Sequence, residues 1–332
     1  MKILIVKLSS LGDVVHAMPA VQDILRALPE AHIDWVVERG FAPLVQRCKG
    51  VRRVIESDLR RWRKAPFNQE TRRAWRLFKA ELQLEAYDAV IDVQGLTKSA
   101  LISWLARLSA VGKRYGLANQ TEGSSFEAPA RWVAHQAITL PSHSHAVTRS
   151  RLLCAQALHY DLPVELSFGL TAHPEHAQSE SRPLAAGAGL LGTVALVHGT
   201  SRADKQWPLE HWRDLAQRLN ESGFAVVLPH GGTAEQQTAQ AIAQGLPHAM
   251  VWPMLSLDAL TDALATCSGV IGVDSGLSHI AVALDLPHVQ IYNFDTAWRT
   301  GPLADSPRQC SVFAQPTPSV DAVCQAWNKV CA

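Results

Sequence analysis

Cysteine is sparse and scattered in this chain. The 332 residues hold six, Cys48, Cys154, Cys267, Cys310, Cys324 and Cys331, with no CxxC pair. Neither a zinc-ligand spacing nor a disulfide framework can be read from them, so free thiols in a reducing cytoplasm are expected. Long apolar runs are missing too. No stretch of about 18 uncharged apolar residues occurs, which predicts no membrane-spanning helix. The opening run Ile3–Val6 is broken by Lys7 and meets Gly12 and Asp13 before any cleavage-like site, so it does not read as a secretory signal. Nor does one sign of charge dominate. The 31 Lys plus Arg and 30 Asp plus Glu leave a net +1, which excludes the global basic field of a nonspecific nucleic-acid binder. Anion recognition, if present, must be local. Three motifs are also absent: GxGxxG after the first strand, GxxxxGK[ST] and GxSxG. Their absence argues against a dinucleotide-dependent dehydrogenase, a P-loop NTPase and an α/β-hydrolase.

What is present is a repeating α/β grammar. Hydrophobic residues make up 47% of the chain and charged residues 18%, the composition of a well-packed protein. Ile3 to Val6 read as a buried strand, Leu8 to Asp13 as a turn-rich link, and Val14, Met18, Val21, Leu25 and Leu28 fall at helical spacing. Strand patterns recur at Ile33–Val37, Val51–Ile55 and Tyr87–Val93, each followed by a helix-like stretch. Alternation of this kind predicts a parallel sheet covered on both faces. Residues 171–192, rich in Ala, Gly, Pro and Ser, read as a linker. The alternation then restarts with strands at Thr193–His198, Ala225–Leu228, Gly269–Val273 and Val289–Tyr292. The expected organisation is therefore one α/β domain over 1–170, a linker over 171–192 and a second over 193–315, with a C-terminal helix over 316–332. Two such halves predict a cleft lined by the carboxyl ends of the strands.

Four strand ends concentrate polar groups. In Ser9-Ser10-Leu11-Gly12-Asp13 a glycine permits close approach of a ligand, and Asp13 is either a helix cap or a reactive carboxylate. Lys7 adds a cation on the same rim. His198 to Pro208 delivers Thr200 and Ser201, the cations Arg202 and Lys205, then Trp-Pro; hydroxyls and a lysine suit phosphate oxygens, although a solvated loop has the same makeup. Gly272 to His279 passes from strand to helix through Asp274-Ser275-Gly276, placing His279 in the first turn of a helix whose free N–H groups attract anions. Asp92 to Ser99 is another glycine loop. With Arg60, Arg61, Arg63 and Lys64 it would make the first half cationic, unless that run is merely a solvated face.

Taken together, KILIVKLSSLGDVVHAMPA, HGTSRADKQWP and GVDSGLSHIAVAL resemble the lipopolysaccharide heptosyltransferases of Gram-negative bacteria, over essentially the whole chain. The opening motif is closer to the type I branch than to type II. The resemblance implies a GT-B fold of two Rossmann-like domains with parallel sheets. It implies inverting transfer of L-glycero-D-manno-heptose from ADP-heptose to the first Kdo of Kdo2–lipid A, with no metal or other cofactor, at the cytoplasmic face of the inner membrane. By the same resemblance Asp13 is the general base and Lys205 offsets charge on the departing ADP. Thr200, Ser201, Lys205, Glu235, Asp274, Gly276 and His279 bind the donor, and Lys7, Arg60, Arg63 and Lys64 bind the anionic acceptor. The C-terminal helix is expected to pack on the first domain. Tyr292 to Thr296 departs from the glycine-proline turn of the family. The rival readings are a related transferase with another donor or acceptor, and a nucleotide-sugar binder without catalysis.

Overall fold

Ile3, Leu4, Ile5 and Val6 have no exposed surface, because β1 (Lys2–Val6) runs through the middle of a parallel sheet covered on both faces. The structure, a computed structural model, describes residues 1–177, 190–303 and 306–331. The chain divides into two units, Met1–Leu170 and Thr171–Ala332.

The first unit adds β2 (His32–Glu38), β3 (Val51–Ser57), β4 (Tyr87–Asp92), β5 (Leu108–Leu117) and β6 (Gln136–Ile138), in the order β3-β2-β1-β4-β5-β6. That order reverses between β1 and β4, where Val6 lies opposite Asp92. In an open α/β sheet such a reversal leaves a crevice at the carboxyl ends of the two strands, the usual ligand position. Helix Leu11–Ala27 follows β1, starting ahead of the apolar periodicity at the Ser10 N-cap, whose N–H and hydroxyl donate to the Asp13 carboxylate.

The second unit repeats the plan. Its strands are β7 (Gly192–Val197), β8 (Phe224–Leu228), β9 (Ala249–Val251), β10 (Gly269–Val273), β11 (His288–Tyr292) and β12 (Gln309–Phe313), ordered β12-β11-β10-β7-β8-β9. Its reversal falls between β7 and β10, with Val197 opposite Gly272. The approach there is so close that a Cβ on Gly272 would sit 2.5 Å from Ser278 Oγ and 2.8 Å from Val197 Cβ.

Helix Val320–Val330 belongs to the second unit. Val320, Val323, Trp327 and Val330 form a stripe at helical spacing that packs with Trp212, Val289 and Ile291 in the second unit's own core. A Cβ on Gly269 would meet the Trp327 ring at 2.6 Å, so glycine makes room for the indole. An apolar stripe fixes that a helix is buried but not against which sheet. The segment expected as a linker, residues 171–192, begins at the boundary between the units. Thr171 to Ala177 belong to the second unit, tied down by the His173 N–H donating to Asp262 at 2.6 Å and by buried Ala177. Residues 178–189 of that segment lie outside the described residues, and Gly192 is already the first residue of β7. Among the described residues no helix is long and apolar enough to cross a membrane, and the cysteines are unpaired.

Candidate active site

The loop after β1 carries the first half of the site. Ser10 is the N-cap of helix Leu11–Ala27 and Asp13 stands three residues on. The Asp13 carboxylate reaches back, accepting from the Ser10 N–H at 3.0 Å and the Ser10 hydroxyl at 2.9 Å. Asp13 is therefore the acidic member of a capping box, and this fixes the direction of its side chain. Below it lies Lys7, only 2% exposed, with Nζ 3.8 Å from Asp13 Oδ1. Arg149, from helix Ala146–Leu158, stands 4.0 Å from the same oxygen. Burial would raise the Asp13 carboxyl, but the Lys7 ammonium, the Ser10 donors and nearby His16 hold it well below the usual carboxylate range. For Lys7 burial wins in the other direction and lowers its pKa, against the pull of Asp13.

β4 builds the adjoining rim. Asp92 accepts from the N–H groups of Gln94 and Gly95 at 2.9 and 3.0 Å and from the Ser99 hydroxyl at 2.9 Å, while burial pushes its pKa up to about 6. Gln94 Oε1 accepts from the N–H groups of Leu8 and Ser9, and Lys98 donates to Ser9 Oγ at 2.8 Å. The two strand-end loops are thus locked together at the reversal point. Lys98 has its pKa lowered by burial and, against the pull of Glu38, by the charges of Arg60 and Arg63. Arg60 also lies over the Phe41 ring at 5.8 Å.

The second unit carries the other half. After β7, Thr200 donates to the Asp274 carbonyl at 3.3 Å, and Lys205 Nζ donates to Asp274 Oδ2 at 2.5 Å. Asp274 Oδ1 faces His279 Nε2 at 3.3 Å, with Gln290 Nε2 at 3.4 Å and Thr300 Oγ1 at 3.5 Å. Burial would raise the Asp274 carboxyl, yet His279 and Lys205 hold it well below the usual range. Ser275 caps helix Gly276–Ala283 in position only. Its buried Oγ has no hydrogen-bond partner among the described residues, which leaves a hydroxyl beside the free N–H groups of a helix start. Glu235 accepts from the Gly231 N–H at 2.7 Å and packs on Gly199, where a Cβ would come within 2.7 Å of its carboxylate.

The sequence-predicted residues thus gather at two reversal points. Thr200, Lys205, Asp274 and His279 meet in one cluster, with Gly276 at the helix start beside it. Ser201 lies exposed on the same loop, and Glu235 supports that loop from behind. Arg60, Arg63 and Lys64 are exposed on the first unit. Lys7 is the departure: expected among the acceptor's cations, it is buried under Asp13, because the chain leaving β1 keeps it between the sheet and the helix that follows. Arg149, Gln290 and Thr300 were not legible as site residues. Each comes from a distant stretch of chain, and an isolated Arg, Gln or Thr carries no periodic or glycine-turn signal. The segment after β11 also has a use: Asn293 donates to the carbonyls of Asp204 and Gln206 and accepts from Thr317, tying down the lysine loop.

The chain is similar to known proteins in sequence and in fold. Residues 74–329 match glycosyltransferase family 9 (heptosyltransferase). The lipopolysaccharide heptosyltransferase 1 of Pseudomonas aeruginosa is 41% identical over 293 residues, 88% of this chain and 78% of that protein. That of Escherichia coli K12 is 40% identical over 88% of both. Among solved structures, E. coli heptosyltransferase WaaC with ADP superposes with a TM-score of 0.84 at 34% identity, covering 98% of each chain. WaaC with ADP-2-deoxy-2-fluoro heptose gives 0.80 at 35%, with the same coverage. The two six-stranded parallel sheets are thus those of a GT-B-type enzyme, and this chain belongs to glycosyltransferase family 9, the heptosyltransferases.

Proposed function

We propose that the protein transfers L-glycero-D-manno-heptose from ADP-heptose to the first Kdo of Kdo2–lipid A, with inversion at the anomeric carbon, at the cytoplasmic face of the inner membrane. The observation that carries this is Asp13: a carboxylate 37% exposed, fixed in direction by its capping box and ionised amid cations at a strand-reversal point. The likeness to lipopolysaccharide heptosyltransferase 1, and to structures titled with ADP and an ADP-heptose analogue, supports the donor and the reaction class.

In this reading an acceptor hydroxyl attacks the anomeric carbon from the face opposite ADP. Asp13 takes the hydroxyl proton as the new C–O bond forms and the bond to the diphosphate oxygen breaks. In the free protein Asp13 is a weak base, because its neighbours favour the charged form. An acceptor bearing carboxylates and phosphates, bound among Arg60, Arg63, Lys64 and Lys98, brings negative charge toward Asp13, which raises its carboxyl and strengthens the base. The first unit is then the acceptor domain and the second the donor domain. There Lys205, Thr200, Ser201, the N–H groups from Gly276 onward and His279 receive the diphosphate, and Glu235 shapes the nucleoside side. Asp274 orients Lys205. A heptose hydroxyl reaches its carboxylate by replacing the two longest contacts, Gln290 and Thr300. No metal or other cofactor enters the proposal.

The test is mass-resolved transfer by the purified protein onto Kdo2–lipid A, with ADP-heptose, UDP-glucose and GDP-mannose as donors. A product one heptose heavier, formed only with ADP-heptose, is expected. Turnover with another donor alone, turnover only on an acceptor that already carries heptose, or donor binding without product would overturn the reading.

A further inference from the structure

Helix Gln69–Leu82 is sided by charge as well as by hydrophobicity. Phe78 and Leu82 are buried, Ala74 and Trp75 pack against the core with them, and Trp62, Trp75 and Phe78 form a ring cluster with centroids 5.4–5.7 Å apart. That cluster fastens this helix and the preceding turn Leu59–Trp62 to the first unit as a fixed shelf. The outward positions are different. Arg72, Arg73, Arg76 and Lys79 are all exposed, and at about 100° per residue they fall within roughly one third of the helix circumference. The two acids of the helix stand off this arc. Glu70 pairs with Arg61 at 2.7 Å, and Glu81 lies beside Arg53, which donates to its carbonyl. Flanking the cationic arc are two exposed apolar side chains: Phe67, 83% exposed in the turn before the helix, and Leu77, 63% exposed on it.

In a chain whose net charge is only +1, these four cations share one helical face with no ion-pair partner among the described residues. Such a face, with an aromatic ring at its end, matches an anionic bilayer surface: the cations sit at the headgroups and the ring enters the interface. The shelf also leads to the candidate active site. It continues from Arg60 and Arg63, whose charges reach Lys98, and Lys98 is bonded to the loop that carries Asp13. We infer that Arg72, Arg73, Arg76 and Lys79, with Phe67 as an apolar anchor, dock the first unit on an anionic phospholipid bilayer. Docking there holds the Asp13 rim at the surface where a lipid-anchored acceptor presents its sugar. The inference rests on the proposed function only for that last step; the docking stands on the charge pattern.

The test uses the full-length protein in co-sedimentation with vesicles of phosphatidylethanolamine and phosphatidylglycerol, against vesicles of phosphatidylcholine alone. Binding to the anionic vesicles, weakening as salt is added, is expected for the wild type. The variant carrying Arg72→Glu, Arg73→Glu, Arg76→Glu and Lys79→Glu should lose more than about tenfold of that binding, and Phe67→Ser about threefold. Circular dichroism and turnover on a deacylated, water-soluble acceptor should stay within about twofold of wild type. Turnover on acceptor embedded in anionic vesicles should fall with binding. Unchanged vesicle binding in the fourfold variant would overturn the inference, as would equal binding to phosphatidylcholine. So would binding that requires acceptor in the vesicle, since the cations would then be reading the acceptor itself. If the wild type transfers no heptose yet the fourfold variant loses vesicle binding, the functional reading fails and the docking surface stands.

Discussion

Each unit places one lysine–aspartate pair at its strand-reversal point, and the two pairs are buried in opposite senses. In the first unit the lysine is sealed, with Lys7 at 2% exposure and Asp13 at 37%. In the second the aspartate is sealed, with Asp274 at 5% and Lys205 at 20%. The buried partner of an ion pair is held by its surroundings, and the exposed one is available to a ligand. The same topology therefore offers a carboxylate to solvent in one unit and an ammonium in the other. A carboxylate suits proton removal from an acceptor hydroxyl, and an ammonium suits a departing diphosphate. Spacing differs in the same direction: 3.8 Å for Lys7 and Asp13, 2.5 Å for Lys205 and Asp274. The looser pair leaves its carboxylate room to bind a proton.

The largest effect should come from removing the exposed carboxylate. Asp13→Ala is expected to lower kcat by about 10²- to 10⁴-fold, the range for a general base, with little change in donor affinity measured by calorimetry. Next comes the exposed ammonium: Lys205→Ala should lower kcat/KM for the donor by about 10²-fold. Because Lys205 and Asp274 act as a unit, adding Asp274→Asn to Lys205→Ala should cost much less than the two single changes multiplied. Additive losses would show that the pair is not a unit.

A subtler change tests whether the buried lysine tunes its partner. Lys7→Met removes the charge that holds Asp13 low and keeps the volume filled. The Asp13 carboxyl is depressed in the folded state, so its contribution to stability is present above the ordinary carboxylate range and is lost as pH falls through the folded value. Without Lys7 the folded value rises, so that contribution shrinks and its loss is complete at higher pH. The acid limb of the kcat/KM profile should move up with it, and an unmoved limb would separate Lys7 from the base. The smallest effect should lie on the rim. Arg60→Ala and Arg63→Ala should each raise the acceptor KM roughly two- to fivefold and leave kcat intact, as befits exposed cations.

Much of this was legible in the sequence, for local reasons. The strand, glycine turn and helix at Ile3 to Val14 sit within a dozen residues, and so do the polar turns at Thr200 and Asp274; each unit announces itself through a change of period from continuous apolar to helical. β5 and β12 were harder. Leu108–Leu117 alternates poorly, with Gly112, Lys113 and Arg114 inside it, and Gln309–Phe313 is half-buried at a sheet edge. Their strand character comes from pairing with β4 and β11. The sense of burial was not legible at all. Lys7 reads as a surface cation until β2, β4 and the following helix are packed around it. Arg149 reaches Asp13 across 136 positions, a distance at which no sequence period operates. Asp13 itself presented as either cap or base, and the capping box answers that it is oriented by the helix start it helps to close.

The inverted burial predicts chemistry at Asp13 and binding at Lys205, and one measurement addresses this directly: single-turnover heptose transfer to Kdo2–lipid A by Asp13→Asn, with ADP-heptose affinity determined on the same preparation. Asparagine keeps the size and can accept the Ser10 hydrogen bonds, so the helix start should survive. The account predicts donor affinity within about twofold of wild type and transfer slowed by about 10²-fold or more. Near-wild-type transfer by Asp13→Asn would contradict it.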